Sequence, residues 1–161
     1  MPDPIVFAGQ TIKASTINDL VSPHVQMHVG AMSVPSGAST YTSTVFTTQL
    51  SGNTIGMWSA GAPTRLVAPT AGIYLVHGGI TWPASLGAAD ARGEIRANGS
   101  AFPAPGTRVG TQRGSNGNQQ VAMSGTLVLA AGEYIEIFLN TQSGSAVTAT
   151  VSLGMTRVSL T

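Results

Sequence analysis

The stretch from Pro69 to Pro83 constrains the fold of this 161-residue chain more than any other part of it. Every second position from 74 to 82 is apolar except Gly78, and these positions are Tyr74, Val76, Ile80 and Trp82. The intervening positions are mixed and carry Ile73, Leu75, His77 and Thr81. A period of two is typical of an extended strand, and a strand with apolar residues on both sides is normally covered on both sides. We therefore expect one burial inside the subunit and a second against a neighbour.

The rest of the chain after His24 alternates in the same way between short strand patterns and turns. Strands are predicted around 25–29, 41–46, 65–67, 92–97, 121–129, 134–139 and 147–155. Turns are predicted at 51–53, 98–99, 131–132 and 142–145, with Asn98-Gly99 favouring a tight hairpin. The apolar positions change parity towards Val158 and Leu160, which predicts a bulge near Thr156-Arg157. About eight strands without a strong helix pattern indicate an all-β, antiparallel jelly-roll sandwich.

The first 24 residues differ from this pattern and are predicted to form an extended arm. Residues 14–22 are compatible with one or two helical turns that end before Pro23, too short to be stable alone. The arm has large apolar side chains that a free segment would expose: Phe7, Ile12, Ile17, Leu20 and Val21. The arm therefore either folds back or docks on another protein, and we favour docking. The predicted organisation is an attachment arm at 1–24 and one jelly-roll domain at 25–161.

The composition excludes several classes of partner. Charged residues make up 8% of the chain, against roughly 25% in an average soluble protein. Seven basic and six acidic residues give a net charge of +1 without a basic stripe, so we expect no nucleic-acid partner. The chain has no Cys, no pattern typical of a secretion signal and no apolar run long enough for a membrane span. We therefore expect synthesis in a cytoplasm and no membrane association.

The common catalytic motifs are missing from the sequence. It contains no Gly-x-Ser-x-Gly elbow, no phosphate-binding Gly-Lys-Ser/Thr loop and no His-Glu-x-x-His pair, so we expect neither an enzyme nor a cofactor. His24 and His28 share one face of a predicted strand; ordinary surface or interface histidines are the favoured interpretation, and a metal site shared by several copies is the alternative. The alternation of Asp90, Arg92, Glu94 and Arg96 predicts a solvated strand face with cross-strand pairs.

Three segments together carry a resemblance to a known family. These segments are Gly72-Ile73-Tyr74-Leu75-Val76, Arg96-Ala97-Asn98-Gly99 and the run from Gly125 to Ile137, followed by a closing apolar strand. Over roughly residues 40 to 161 they resemble the jelly roll of tumour necrosis factor and complement globular-head proteins. In that family the strands equivalent to 73–82 and 134–139 lie on an inner sheet around a threefold axis. The resemblance implies a homotrimer with Ile73, Leu75, Tyr134 and Phe138 at the interface.

The N-terminal arm has a resemblance of its own. The segment from Phe7 to Leu20 resembles the leading segments of tailed-bacteriophage virion proteins, which attach to a larger assembly through such arms. A jelly roll of low charge behind that arm looks like a capsid decoration or minor capsid protein. The resemblance implies a structural protein on the capsid surface of a virion, made in the bacterial cytoplasm, with the major capsid protein as its partner.

A second function remains open from the sequence. The loops predicted at 83–91 and 103–118 are rich in Pro, Gly, Ser and Asn, a composition that permits ligand binding without specifying it. The alternative interpretation is therefore a receptor-binding or glycan-binding knob of a phage tail fibre.

Overall fold

The computed structural model describes residues 22–37, 41–53, 56–86, 89–101, 103–104, 106–110 and 118–159. Within these ranges the chain forms two antiparallel sheets, which confirms the predicted all-β sandwich. The strands are β1 (His24–Val34), β2 (Thr42–Ser43), β3 (Thr48–Asn53), β4 (Leu66–Val67), β5 (Gly72–Trp82), β6 (Ala91–Ala97), β7 (Arg108–Gly110), β8 (Gln119–Leu129), β9 (Tyr134–Thr141) and β10 (Val147–Ser159). None of the described helical segments is long and apolar enough to cross a bilayer.

The predicted arm lies mostly outside the described residues. This applies to the proposed helical turn up to Val21 and to all five apolar attachment residues: Phe7, Ile12, Ile17, Leu20 and Val21. The described chain begins at Ser22, and β1 begins two residues later. Pro23 is already part of the domain, because its carbonyl accepts a hydrogen bond of 2.9 Å from the backbone N–H of Arg157.

The first sheet has the strand order β3-β1-β10-β5-β8. At one edge of this sheet β8 pairs with β5 without interruption over eleven residue pairs, from Gly72 opposite Leu129 to Trp82 opposite Gln119. On the other side β10 joins β5 to β1, with Leu153 between Gly78 and Met27. The alternation read from the sequence of β5 is confirmed: its predicted apolar face is buried, whereas Leu75 is 42% exposed.

The second sheet has the order β2-β9-β6-β7, with β4 also pairing with β9. Its central pair, β6 and β9, runs in register from Ala91 opposite Thr141 to Ala97 opposite Ile135. Ile135, Ile137 and Leu139 of β9 point into the sandwich and are fully buried. The predicted strand at 134–139 therefore forms, but in the sheet opposite β5.

The core fills the space between the sheets, and two glycines determine how the layers interlock. A Cβ on Gly93 of β6 would overlap the end of the Ile80 side chain on β5. A Cβ on Gly78 of β5 would lie 3.0 Å from Cδ1 of Ile137 on β9. Each glycine thus leaves a hole that an isoleucine of the facing sheet fills, which accounts for the gap at Gly78 in the sequence pattern. The largest fully buried residues include Trp82, Tyr74, Phe46, Met27, Met57 and Leu66.

Three local predictions need correction. Residues 51–53 belong to β3, although Gly52 has φ +34° and the pairing with β1 is irregular there. Asn98 and Gly99 form a tight turn with positive φ, but β7 begins only at Arg108. The irregularity between β10 and β5 lies between Arg157 and Ser159, one step later than predicted.

Candidate interaction surface

The two sheets differ in where they carry charge. Among the residues of the first sheet's five strands, Arg157 is the one with a formal charge, and it points inward with 5% exposure. Its Nη1 donates a hydrogen bond of 2.6 Å to Oγ1 of Thr70, so this cation is held inside the sandwich. The strands of the second sheet contain Arg92, Glu94, Arg96, Arg108 and Glu136. The described molecule therefore has one uncharged outer face and one charged outer face.

The uncharged outer face, called here the neutral face, is formed by the outward residues of β1, β10, β5 and β8. These residues are His24, Gln26, His28, Thr148, Thr150, Ser152, Gly154, Thr156, Ile73, Leu75, His77, Gly79, Thr81, Gln120, Ala122, Ser124, Thr126 and Val128. Most are small or hydroxyl-bearing, so the backbone of the sheet lies close to the surface. Because none is a carboxylate, lysine or arginine, a covering partner would desolvate no full charge at neutral pH.

One end of the neutral face carries an apolar cluster, formed by the partly buried Ile73 and the exposed Leu75, Val128 and Val158. Ile73 lies opposite Val128 in the pairing of β5 with β8. Leu75, Val128 and Val158 are 42%, 69% and 56% exposed, respectively. Val158 also points outward, because β10 keeps its alternation up to Arg157, which is buried. The change of parity in the sequence therefore does not bring Val158 into the core.

The middle of the neutral face is a shallow groove. Two adjoining depressions of about 330 and 360 Å³ share Gly79, Ala122 and Ser152 as lining residues. His28 borders the first depression and His77 borders the second. The groove exists because three neighbouring strands carry small residues at the same level of the sheet, with Ser152, Gly79 and Ala122 paired in one row.

The predicted histidine pair lies on this face. His24 and His28 both point outward from β1, as their spacing predicts. Nδ1 of His24 donates a hydrogen bond of 3.2 Å to the backbone carbonyl oxygen of Ser22. No group of three or more potential metal-ligating side chains occurs within the described ranges. The metal alternative therefore has no ligand set within the described part of a single copy.

The charged outer face is organised around Glu94, which is 1% exposed. Nε of Arg96 donates to Oε1 of Glu94 at 2.6 Å, and Nε of Arg108 lies 3.4 Å from Oε2. The Arg96 guanidinium lies over the rings of Tyr41 and Phe138, at 4.8 and 4.4 Å from their centroids. The predicted solvated face is thus wrong at Glu94, because aromatic rings and arginine stems cover it.

Arg108 closes this network at its edge. Its Nη2 donates a hydrogen bond of 3.0 Å to the Tyr41 hydroxyl. That hydrogen bond, together with the negative charge of Glu94, raises the pKa of Arg108 above its ordinary value. The network therefore fixes Tyr41, which precedes β2, against β6 and β7. Sequence reasoning missed it because Tyr41 is far from Glu94 in the chain and joins it only through the sheet pairing.

A second ionic cluster lies beside the first. Oγ1 of Thr64 donates a hydrogen bond of 2.7 Å to Oε1 of Glu136, and Nε of Arg65 lies 3.7 Å from the same oxygen. The Arg65 guanidinium lies 4.2 Å from the centroid of the Tyr134 ring. The polar and aromatic groups named here on the charged face therefore satisfy one another within the subunit.

The four predicted trimer-interface residues are divided between the two faces. Ile73 and Leu75 lie on the neutral face, whereas Tyr134 and Phe138 lie on the charged face beneath Arg65 and Arg96. The expectation that their two strands share one inner sheet is wrong, because β5 and β9 belong to opposite sheets. The apolar character of both sides of β9 has a different cause: Tyr134 and Phe138 pack against arginines of their own subunit.

Comparison with known proteins defines the fold. No protein-family model and no curated protein matches the sequence. Among solved structures, the globular domain of zebrafish complement 1qA matches with a TM-score of 0.64 and 12% identity, over 86% of this chain and 99% of that one. Eiger TNF from S. frugiperda matches with a TM-score of 0.55 and 12% identity, over 87% and 94%. Murine APRIL matches with a TM-score of 0.54 and 14% identity, over 84% and 99%.

These likenesses agree with the all-β, antiparallel two-sheet arrangement. The domain therefore has the jelly-roll fold of the tumour necrosis factor and complement globular-head proteins.

Proposed function

We propose that this protein is a structural virion protein: a homotrimeric capsid decoration protein that binds the outside of a phage head through its arm and the base of the trimer. The neutral face is the observation that carries the proposal, because it supports self-association. The fold adds support, since the family it resembles assembles around a threefold axis. The arm's resemblance to leading segments of phage virion proteins supports the capsid as the partner.

The physical case for self-association rests on what the neutral face lacks. The centre of a protein interface is depleted in charged residues, because each buried charge must be desolvated. The neutral face meets this condition across four strands, and its apolar cluster supplies Leu75, Val128 and Val158 as exposed groups to bury. Burial of such apolar surface stabilises an interface by roughly 25 cal/mol per Å² before the costs of association are counted.

The charged face has the opposite character. Glu94, Arg96 and Arg108 already form ion pairs within the subunit, and Phe138 is covered by Arg96. A partner covering this face would have to desolvate exposed arginines such as Arg108, whose side chain is 51% exposed. The proposed trimer therefore uses the neutral face and leaves the charged face towards solvent.

A trimer would present three arms at once. Three weak contacts on one rigid body can hold where a single contact cannot, because each bound arm raises the effective concentration of the others. The proposed attachment residues are the apolar ones of the arm, which are Phe7, Ile12, Ile17, Leu20 and Val21.

The test is removal of the arm without damage to the domain. Deletion should stop at residue 21, because Pro23 accepts a hydrogen bond from Arg157 and His24 pairs with Thr156. We expect the truncated protein to remain a trimer in sedimentation velocity. We expect it no longer to cosediment with capsids of the virus that encodes it.

Two outcomes would contradict the proposal. Unchanged capsid binding after deletion would remove the arm from the attachment mechanism. If the full chain bound host cells but not capsids, and the truncated chain still bound host cells, the receptor-binding or glycan-binding alternative would be supported.

A further inference from the structure

The neutral face contains histidines as its sole titratable side chains. His24 and His28 extend from β1 and His77 extends from β5. His77 lies on an inner strand, with β10 on one side and β8 on the other. It is half-buried like His28, whereas His24 is exposed. This places a group that gains charge on protonation inside a surface that carries no formal charge at neutral pH.

The position of His77 depends on a glycine in the neighbouring strand. His77 pairs with Gly154 of β10, and a Cβ at that position would overlap the imidazole ring. The ring therefore occupies the space above Gly154 of β10, at the border of the groove. On the other side His77 pairs with Ser124 of β8.

No carboxylate faces His77 from any of the described elements packed around it. The outward residues of β10, β5 and β8 include no other titratable group, and β1 contributes only His24 and His28. Desolvation lowers the pKa of His77 below its ordinary value in the single subunit. Covering the groove with a second copy would remove more water from the ring and oppose its protonation further.

We propose that His77 makes self-association through the neutral face dependent on pH, with the neutral imidazole permitting assembly and the protonated imidazole releasing it. The inference rests on the self-association that forms part of the proposed function. A trimer would bring three such imidazoles into one interface, so three protons would be taken up together on release.

The direction of the effect follows from proton linkage. A histidine whose pKa is lowered by burial binds fewer protons in the assembled state than in the free state. Assembly is therefore fully favoured well above the pKa of His77 in the free subunit and weakens as the pH falls through that value. With three linked sites, we expect the apparent dissociation constant to rise at least about tenfold between pH 7.5 and pH 5.5.

Sedimentation velocity of the full chain at pH 7.5 and pH 5.5 tests the proposal, with far-UV circular dichroism at both pH values. His77→Gln removes the titrating group and keeps a polar side chain of similar length. His24→Gln is the matched control, because His24 is an exposed histidine at the end of the same face. We expect the wild type and His24→Gln to dissociate at pH 5.5 with their β-structure intact, and His77→Gln to stay assembled.

The possible failures are distinguishable. A wild type that is assembled equally at both pH values would refute the pH dependence without affecting the proposed trimer. A wild type that is monomeric at both overturns self-association itself and the switch with it. Dissociation of His77→Gln at pH 5.5, or loss of β-structure in the wild type at that pH, assigns the acid effect to another cause and overturns the role of His77.

Discussion

The two outer faces of the sandwich differ in how their outward side chains are paired and covered. On the charged face Glu94, Glu136 and their arginines neutralise one another across short distances, and aromatic rings fill the space between them. On the neutral face charges are absent, and exposed aliphatic side chains such as Val128 remain uncovered in the single subunit. A face whose polar groups are already paired has little to gain from a partner. A face of small, uncharged residues with an exposed apolar cluster gains by being covered.

The largest expected effect is the difference in folding between a substitution on the buried side of β5 and one on its exposed side. Val76 is fully buried, whereas its neighbour Leu75 is 42% exposed on the neutral face. Val76→Asp should prevent folding, because an unpaired carboxylate in the core costs several kcal/mol. Leu75→Asp should leave the thermal unfolding of the subunit cooperative. Circular dichroism and thermal denaturation measure both, and equal loss of structure in the two variants would refute the assignment of faces.

The next effect concerns the buried carboxylate of the charged face. Glu94→Ala leaves Arg96 and Arg108 without their shared partner, and we expect a loss of about 3 kcal/mol in the free energy of unfolding. Glu94→Gln keeps an acceptor for Arg96 and should lose less. Urea denaturation measures the difference. A Glu94→Ala variant as stable as the wild type would show that the network does not anchor this face.

Phe138→Ala tests whether the second half of the sequence-predicted interface takes part in assembly. The change removes the ring beneath Arg96, and we expect a loss of about 1 to 2 kcal/mol because Phe138 is only half-buried. Assembly should not change, since Phe138 lies on the charged face. Sedimentation velocity at constant protein concentration measures this. If the variant assembled less than the wild type without a matching loss of stability, β9 would have to be part of the assembly interface.

The smallest effect is expected at Arg65. Its Nε lies 3.7 Å from Glu136, and its side chain is 46% exposed, so water screens the pair. Arg65→Gln should change the free energy of unfolding by less than about 1 kcal/mol. Thermal denaturation in low and high salt would check this value. A larger loss would mean that the charged face depends on its exposed ion pairs as well as on Glu94.

The sequence predicted the all-β fold and the buried face of β5 because both depend on local alternation. It could not divide the strands between the sheets, because pairing partners such as β5 and β8 are set by contacts far apart in the chain. For the same reason Tyr134 and Phe138 looked like interface residues. Their apolar surface is covered by Arg65 and Arg96, and such cation–π contacts leave no periodic pattern in a sequence.

The end of β10 shows a second limit of pattern reading. The apolar residues change parity there, which correctly indicates an irregular pairing. A bulge at Thr156-Arg157, as predicted, would have turned Val158 inward. Instead Arg157 keeps the inward position, because Thr70 offers its guanidinium a hydrogen-bond acceptor inside the sandwich. Val158 is left outside, where it extends the apolar cluster of the neutral face.

The mass of the assembled protein tests the central claim most directly. Leu75→Asp places a charge on the neutral face, and Val45→Asp makes a matched change at an aliphatic residue of similar exposure, 51%, outside that face. Sedimentation equilibrium at pH 7.5 should give a trimer for the wild type and Val45→Asp, and a folded monomer for Leu75→Asp. A Leu75→Asp protein that remains trimeric would contradict the assignment of the neutral face as the assembly surface.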